Sequence, residues 1–471
     1  MLYSSRITIS HILPCAEYSA NNAFNYNGNN GNLNNNNKNN TNNSRALLEL
    51  DGLQASLESQ PFPISEFYSV YRQTRQHKAN KPSHLLFRLD YPRHLRDICR
   101  KVNEMDYQPT TSIGFIITNP RVREVIAADF SDRVVQTLLV REILPHLEEV
   151  EHPHSYSCRV GKGCLAAVQR LQELNDKYKD GYVCFLDLAN HFMSIDTELW
   201  TPRVQAFIDE HYEAGDRCEI LKYLADRIYR HRPGDDFIRK SPIWMWKLLP
   251  ARKSLLPPAT SLPGRNPASG VPIGNVTSQA LSNFVTTGYL NFLDEAGFEF
   301  SFYTDDVGIF SEDKGKLLSY IPLIREHLWE DAHLKLHPDK IYIQEVRKGF
   351  NALGFRIKGN NITPSKRLVH NFKRLVDFLI LIVEEDVRNL YRYRDIAMQR
   401  LNSTLSILAW SHSYNIRQEQ LARLQESKWE QIFTFNESLK KVTIKPSKTR
   451  RAYFFRRNRL RKQQSLKYYT L

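Results

Sequence analysis

The chain has 471 residues, with 65 Lys or Arg against 51 Asp or Glu, giving a formal net charge of +14. That length allows two or three domains and a sizeable core, and the charge favours a polyanionic partner, most simply nucleic acid. The longest apolar run, Phe378 to Val383, is too short to span a bilayer, and the N-terminus lacks the apolar stretch of a signal peptide. The six cysteines (Cys15, Cys99, Cys158, Cys164, Cys184 and Cys218) form no C-x-x-C pair. They read as reduced thiols of a cytoplasmic protein, not as a zinc site or a disulfide framework.

In chain order, Asn21 to Asn43 comes first, with fifteen asparagines in twenty-three residues. So little apolar surface cannot offset the entropy of ordering, so residues 1–46 are expected to be a disordered leader. A mixed region follows, with a strand at Ser112 to Thr118 and a helix at Arg133 to Leu144 that Pro145 should end. From about Gly181 to Phe355 the pattern alternates strand and helix. Tyr182 to Leu188 is an apolar strand, and Phe298 to Tyr303 and Val307 to Phe310 are two more. Between them lies an insertion at 230–269, irregular and rich in Pro, Trp and Lys from Ser241 to Ser269.

After Thr363-Pro364-Ser365, a sensible helix entry, Leu368, Phe372, Leu375, Leu379 and Ile382 mark one buried helical face. A second helix is expected at about Tyr393 to Trp410. The tail from Ser438 to Leu471 holds twelve Lys or Arg and no acid, so it carries most of the net charge. No fixed-period repeat is visible.

Three carboxylates stand out. Asp187 ends the apolar run Val183 to Leu186, and Asp305 and Asp306 lie in the turn between two apolar strands. Placing acids at the ends of buried strands is costly unless a cation meets them. Such an edge can hold two Mg²⁺ ions about 3.5–4 Å apart. Asp also suits turns for purely structural reasons, so the pair alone leaves both readings open.

The surrounding pattern resembles the reverse transcriptases. Tyr303-Thr304-Asp305-Asp306 has their Tyr-x-Asp-Asp form, and Leu186 to Asp196 resembles their motif A. Gly270 to Gln279 resembles motif B. His337-Pro338-Asp339-Lys340 and Phe350 to Phe355 resemble the two motifs that follow the catalytic hairpin. The order is the family's, and the resemblance runs from about Ser83 to Trp410. It implies an α+β right-hand polymerase, with fingers over 47–180, a palm with an antiparallel sheet over 181–360, a helical thumb over 361–436 and a basic tail over 437–471.

By the same resemblance, Asp187, Asp305 and Asp306 are catalytic and hold Mg²⁺ (Mn²⁺ as a possible substitute) together with the backbone at Leu188. Phe192 takes the place of the steric gate against a ribose 2′-hydroxyl. Arg123 and Arg159 face the incoming triphosphate, where a planar guanidinium suits phosphate oxygens. Lys162, Ile273, Gly274, Gln279 and Lys340 complete the nucleotide-binding set.

Motif B narrows the resemblance. Most reverse transcriptases carry Gln-Gly-x-x-x-Ser-Pro, but here Ile273-Gly274-Asn275-Val276-Thr277-Ser278-Gln279 puts an apolar residue first and Gln last. This variant, with Phe115 to Val135 and Ser155 to Gly163 upstream, is similar to the reverse transcriptases of diversity-generating retroelements. Those enzymes copy a template-repeat RNA into cDNA and miscopy its adenines, with a small basic accessory variability protein as partner. A polar contact that discriminates base pairs is worth ~1–3 kcal/mol, so Ile273 in place of Gln is expected to raise misincorporation by roughly one or two orders of magnitude. The Asn tract resembles a translated template repeat; an ordinary Asn-rich leader reads equally from composition.

The tail interleaves Tyr and Phe with Arg450, Arg451, Arg456, Arg457, Arg459 and Arg461, a pattern suited to phosphates and unpaired bases. A group II intron or retron-type reverse transcriptase, and a catalytically silent RNA-binding protein of the same fold, are the competing readings.

Overall fold

The structure is a computed structural model and describes residues 55–76, 81–117, 123–242, 245, 262 and 269–445. The asparagine tract, most of the 241–269 insertion and the six tail arginines lie outside the described residues. The chain divides into two compact units interleaved in sequence. One comprises Met1–His152, Leu188–Phe292 and Leu323–Pro338, and the other Pro153–Asp187, Leu293–Pro322 and Asp339–Leu471.

The first unit is mainly helical. Tyr71, on the helix Ile64–Thr74, stacks on Tyr91 with ring centroids 5.0 Å apart and on Phe87 at 5.7 Å. Arg217 ties three helices together. It donates to Glu66 and, at 2.7 Å, to Glu142, while its guanidinium lies 4.0 Å from the centre of the Phe62 ring.

The helix expected at Arg133 to Leu144 runs from Phe130 to Val150, straight through Pro145. Proline there lacks the N–H that would bond the Arg141 carbonyl. Leu139, Ile143 and Leu147 are nonetheless all buried on one face, and that packing outweighs the local break. In the same unit β1 (Ser112–Ile117) pairs antiparallel with β2 (Arg123–Ala127). The later strands are β3 (Tyr182–Asp187), which belongs to the second unit, and β4 (Phe237–Arg239), which pairs parallel with β1.

The second unit is built on a four-stranded antiparallel sheet in the order β5-β6-β3-β7, with β5 at Glu299–Tyr303, β6 at Asp306–Ser311 and β7 at Tyr342–Glu345. The strands expected at 298–303 and 307–310 thus fall within a residue of β5 and β6. Helix Cys164–Lys177 lies close over this sheet. A Cβ on Gly308, in the middle of β6, would sit 2.9 Å from Phe185 Cε1 and 3.2 Å from Leu171 Cδ2, so only glycine fits there without a shift.

Three short strands follow as an antiparallel sheet: β8 (Phe350–Ala352), β9 (Phe355–Lys358) and β10 (Asn361–Pro364). Leu353 and Gly354, between β8 and β9, both have positive φ, 51° and 89°, as a two-residue primed hairpin turn requires. Phe350, Phe355 and Ile357 join Val168, Leu171, Val183 and Phe310 in one core.

Helix Lys366–Glu385 starts where expected, with the Ser365 hydroxyl accepting from the Leu368 N–H. Phe372, Leu379 and Ile382 are buried as the spacing predicts, and Leu368 and Leu375 pack at the edge of the same cluster. Helix Asn389–Leu408 is the second expected helix. A third helix, Tyr414–Glu426, and the hairpin of β11 (Phe433–Phe435) and β12 (Val442–Ile444) were not foreseen. They close around Trp429, whose indole N–H donates to the Leu379 carbonyl at 2.6 Å. Among the described residues no helix is long and apolar enough to cross a membrane.

Candidate active site

The acidic hairpin is tight. β5 ends at Tyr303 and β6 begins at Asp306, leaving Thr304 and Asp305 as the turn. Thr304 takes φ 63°, a left-handed conformation that a β-branched residue adopts only under strain. The Asp305 N–H donates to the Tyr303 carbonyl at 2.8 Å. On the other side of β6, the β3–β6 register sets Asp187 directly opposite Asp306. Buried apolar strands therefore deliver three carboxylates to one end of one sheet.

Positive charge already gathers there. Lys340 Nζ donates to both oxygens of Asp187, each at 2.7 Å, and the Asp187 residue is 9% exposed. Asp306 is exposed as a residue, yet its carboxyl is held well above the usual carboxylate range. Loss of water around the group comes first, then repulsion from Asp305 and Asp187, with Lys340 pulling the other way. The residue still touches solvent, so repulsion by its two neighbouring acids is a substantial part of this rise. Lys340 on Asp187, with Asp306 across the register and Asp305 in the adjoining turn, makes this edge a cluster of carboxylate oxygens. Its hard oxygen donors suit Mg²⁺.

The loop from Pro153 to Gly163 belongs to the same unit and docks on β5. Phe302 N–H donates to the His154 carbonyl, and Tyr156 N–H to the Phe302 carbonyl, both at 3.0 Å. Arg159 is half-buried, with one guanidinium nitrogen 3.3 Å from the Ser155 carbonyl. Lys162 spends its ammonium on the Pro153 carbonyl, 2.7 Å away, and lies 5.7 Å from the centre of the Tyr156 ring. Gly161 and Gly163 take φ of 75° and 110°, so they shape this loop.

The other sequence-identified residues lie in the first unit. Arg123 is exposed at the start of β2. Leu188 is buried and bridges to Leu336. Phe192 is half-buried in the short helix His191–Ser194, and its carbonyl accepts from Val271 N–H at 2.8 Å. Gly274 has φ 104°. Asn275, next to it, is buried and accepts from Ala128 N–H at 3.3 Å. Ile273 packs with Phe237 against Ile126, Met193 and Leu262. Gln279 lies half-buried in the first turn of helix Val276–Glu295.

Two features had no signal in the sequence. The Lys340–Asp187 pair joins positions 153 apart, which no periodicity reports. His191 is fully enclosed beside Phe192, and its polarity argues against burial until the fold is seen.

A reverse transcriptase (RNA-dependent DNA polymerase) domain model matches residues 118–357. Among curated proteins no relative matches. Among solved structures, telomerase from Candida albicans, in complex with a TWJ fragment of telomeric RNA, is similar with a TM-score of 0.38 and 9% identity. That match covers 69% of this chain, and the chain spans 61% of the telomerase chain. The mixed helix-and-sheet architecture is consistent with a right-hand polymerase. With its domain match extending from the end of β1 through β9, the chain belongs to the reverse transcriptase (RNA-dependent DNA polymerase) family of nucleotidyltransferases.

Proposed function

We propose that the protein is an RNA-directed DNA polymerase that extends a primer on an RNA template with dNTPs. The observation that carries this reading is the Asp187–Asp306 register across β3 and β6, with Asp305 in the adjoining turn. The 3′-hydroxyl of the primer attacks the α-phosphorus of the nucleotide, and the bond to the β-phosphate breaks to release pyrophosphate. Asp187, Asp305 and Asp306, with the backbone at Leu188, are the groups that would hold Mg²⁺. Bound there, such ions would neutralise charge on the phosphates and would acidify the attacking hydroxyl.

Lys340 offers a cation next to Asp187 for the same phosphates. Arg159 and Arg123 give guanidiniums to the triphosphate, and Lys162 serves more as a brace of its own loop. Phe192 presents a ring that would clash with a 2′-hydroxyl. In this reading the sheet of β3, β5, β6 and β7 is the palm, the β1–β2 region belongs to the fingers, and the helices from Lys366 to Glu426 form a thumb for the template–primer duplex.

The finer reading is mutagenic copying of a template-repeat RNA for targeted diversification, assisted by a basic accessory variability protein. Ile273 and Gln279 in motif B support it. The aliphatic Ile273 side chain has no group to bond a base; its packing against Ile126, Met193 and Leu262 equally suits a purely structural role. Purified protein should extend a primer on RNA with Mg²⁺, and sequencing the cDNA should show errors concentrated at template adenines. Ile273→Gln should lower that error rate by about ten-fold; an unchanged spectrum removes Ile273 from the explanation.

A further inference from the structure

His191 is 3% exposed, and its Nε2 lies 2.8 Å from the hydroxyl of Ser282 on helix Val276–Glu295. Its other ring nitrogen, Nδ1, is buried with no partner. Burial holds the imidazole pKa down to about 4, so the ring is neutral. A neutral ring has one N–H. Placing it on Nε2 pairs the donor with Ser282 and leaves only a lone pair unsatisfied at Nδ1, the cheaper choice.

Phe192 is the next residue. Its ring meets the His191 imidazole at 5.6 Å between centroids, tilted 77°, an edge-to-face contact. Among the described residues His191 is its only aromatic neighbour. The backbone of this turn is held by other means. Val271 N–H donates to the Phe192 carbonyl, and Gly270 N–H to the Ile195 carbonyl, each at 2.8 Å. Gly270 has φ 96°, and a Cβ on it would lie 3.3 Å from the Met193 carbonyl oxygen. The turn is therefore fixed twice: by motif B through its backbone at Gly270 and Val271, and by helix Val276–Glu295 through the Ser282 hydroxyl, which bonds the imidazole.

We propose that His191 is a positioning residue for sugar selection: anchored by Ser282, it sets the angle of the Phe192 ring against which the sugar of the incoming nucleotide is tested. The inference rests on Phe192 being the gate. Loosening His191 leaves the backbone of the gate in place and frees its ring. The loss therefore falls on exclusion of ribonucleotides more than on the chemical step.

The test measures kcat/KM for a dNTP and the matching rNTP in primer extension by the full chain. Ser282→Ala and His191→Leu should each lower the dNTP/rNTP ratio by about three- to ten-fold, the value of one buried hydrogen bond. The double variant should be no worse than the worse single, because both remove the same bond. Ser282→Thr, which keeps the hydroxyl, should hold the ratio of the unaltered protein. Phe192→Ala should collapse it.

If Phe192→Ala collapses the ratio and the Ser282 and His191 variants leave it unchanged, the positioning role is wrong and the gate stands. If Phe192→Ala leaves the ratio unchanged, the gate itself is wrong and the inference falls with it. Should His191→Leu fail to fold, the nearly isosteric Ser282→Ala decides alone.

Discussion

Both carboxylate oxygens of Asp187 accept a hydrogen bond from the ammonium of Lys340, each at 2.7 Å. The lysine stands in the place of a cation at a buried acid, so removing it should expose the need for one. Lys340→Met should destabilise the metal-free protein by about 1–2 kcal/mol, a figure discounted for the half-exposed lysine. Mg²⁺ should then raise the melting temperature of the variant more than that of the unaltered protein. Thermal melts with and without Mg²⁺ check this; equal Mg²⁺ shifts would mean the ion does not meet Asp187.

Thr304 holds φ 63° in the turn before the aspartates. Asn tolerates the left-handed region better than a β-branched residue. Thr304→Asn should therefore stabilise the protein by about 1 kcal/mol while keeping the hairpin register. A lower melting temperature would show that the threonine side chain contributes more than its backbone costs.

Gly308 has no room for a side chain between Phe185 and Leu171. Gly308→Ala should cost about 1–3 kcal/mol through displaced neighbours, seen as a lower denaturation midpoint. Because β6 also carries Asp306, activity should fall with it. An unchanged midpoint would mean that helix Cys164–Lys177 can move away from the sheet freely.

Glu299, on β5, is loaded with donors. Arg170 and Tyr178 each bond it at 2.9 Å, and Lys177 bonds it too. Burial pushes its carboxyl up, but Lys177, Tyr178 and Arg170 outweigh that and bring it down to about 2. A carboxylate depressed from its ordinary value near 4.5 stabilises the fold above that value and loses the contribution as pH falls toward 2. Acid titration of stability should therefore show a decline over that window, and Glu299→Gln should flatten it. A variant with the same acid slope would assign the decline to other carboxylates.

Much of this architecture is legible in the sequence because it obeys short-range rules. The apolar stretches at 182–188, 298–303 and 307–310, with acids at the end of the first and between the other two, predict β3, β5 and β6 nearly to the residue. The spacing from Leu368 to Ile382 predicts the buried face of its helix. Pro145 misleads, since a helix-breaking rule is local and the packing of Ile143 and Leu147 that overrides it is not. The helix Tyr414–Glu426 has a weak apolar pattern; its buried face includes Arg417 and Gln420, which read as surface residues. Within the candidate site, sequence motifs identify the acids, but the chelation of Asp187 by Lys340 and the enclosure of His191 depend on contacts between distant segments.

In the proposed function, Asp187 and Asp305 carry nucleotidyl transfer on an RNA template. Primer extension with dNTPs and Mg²⁺ should proceed with the full chain and fall by about a thousand-fold or more with either Asp187→Asn or Asp305→Asn, since each removes a charge that the transition state needs. Extension that persists in both variants at the original rate would mean that neither aspartate takes part in the chemistry.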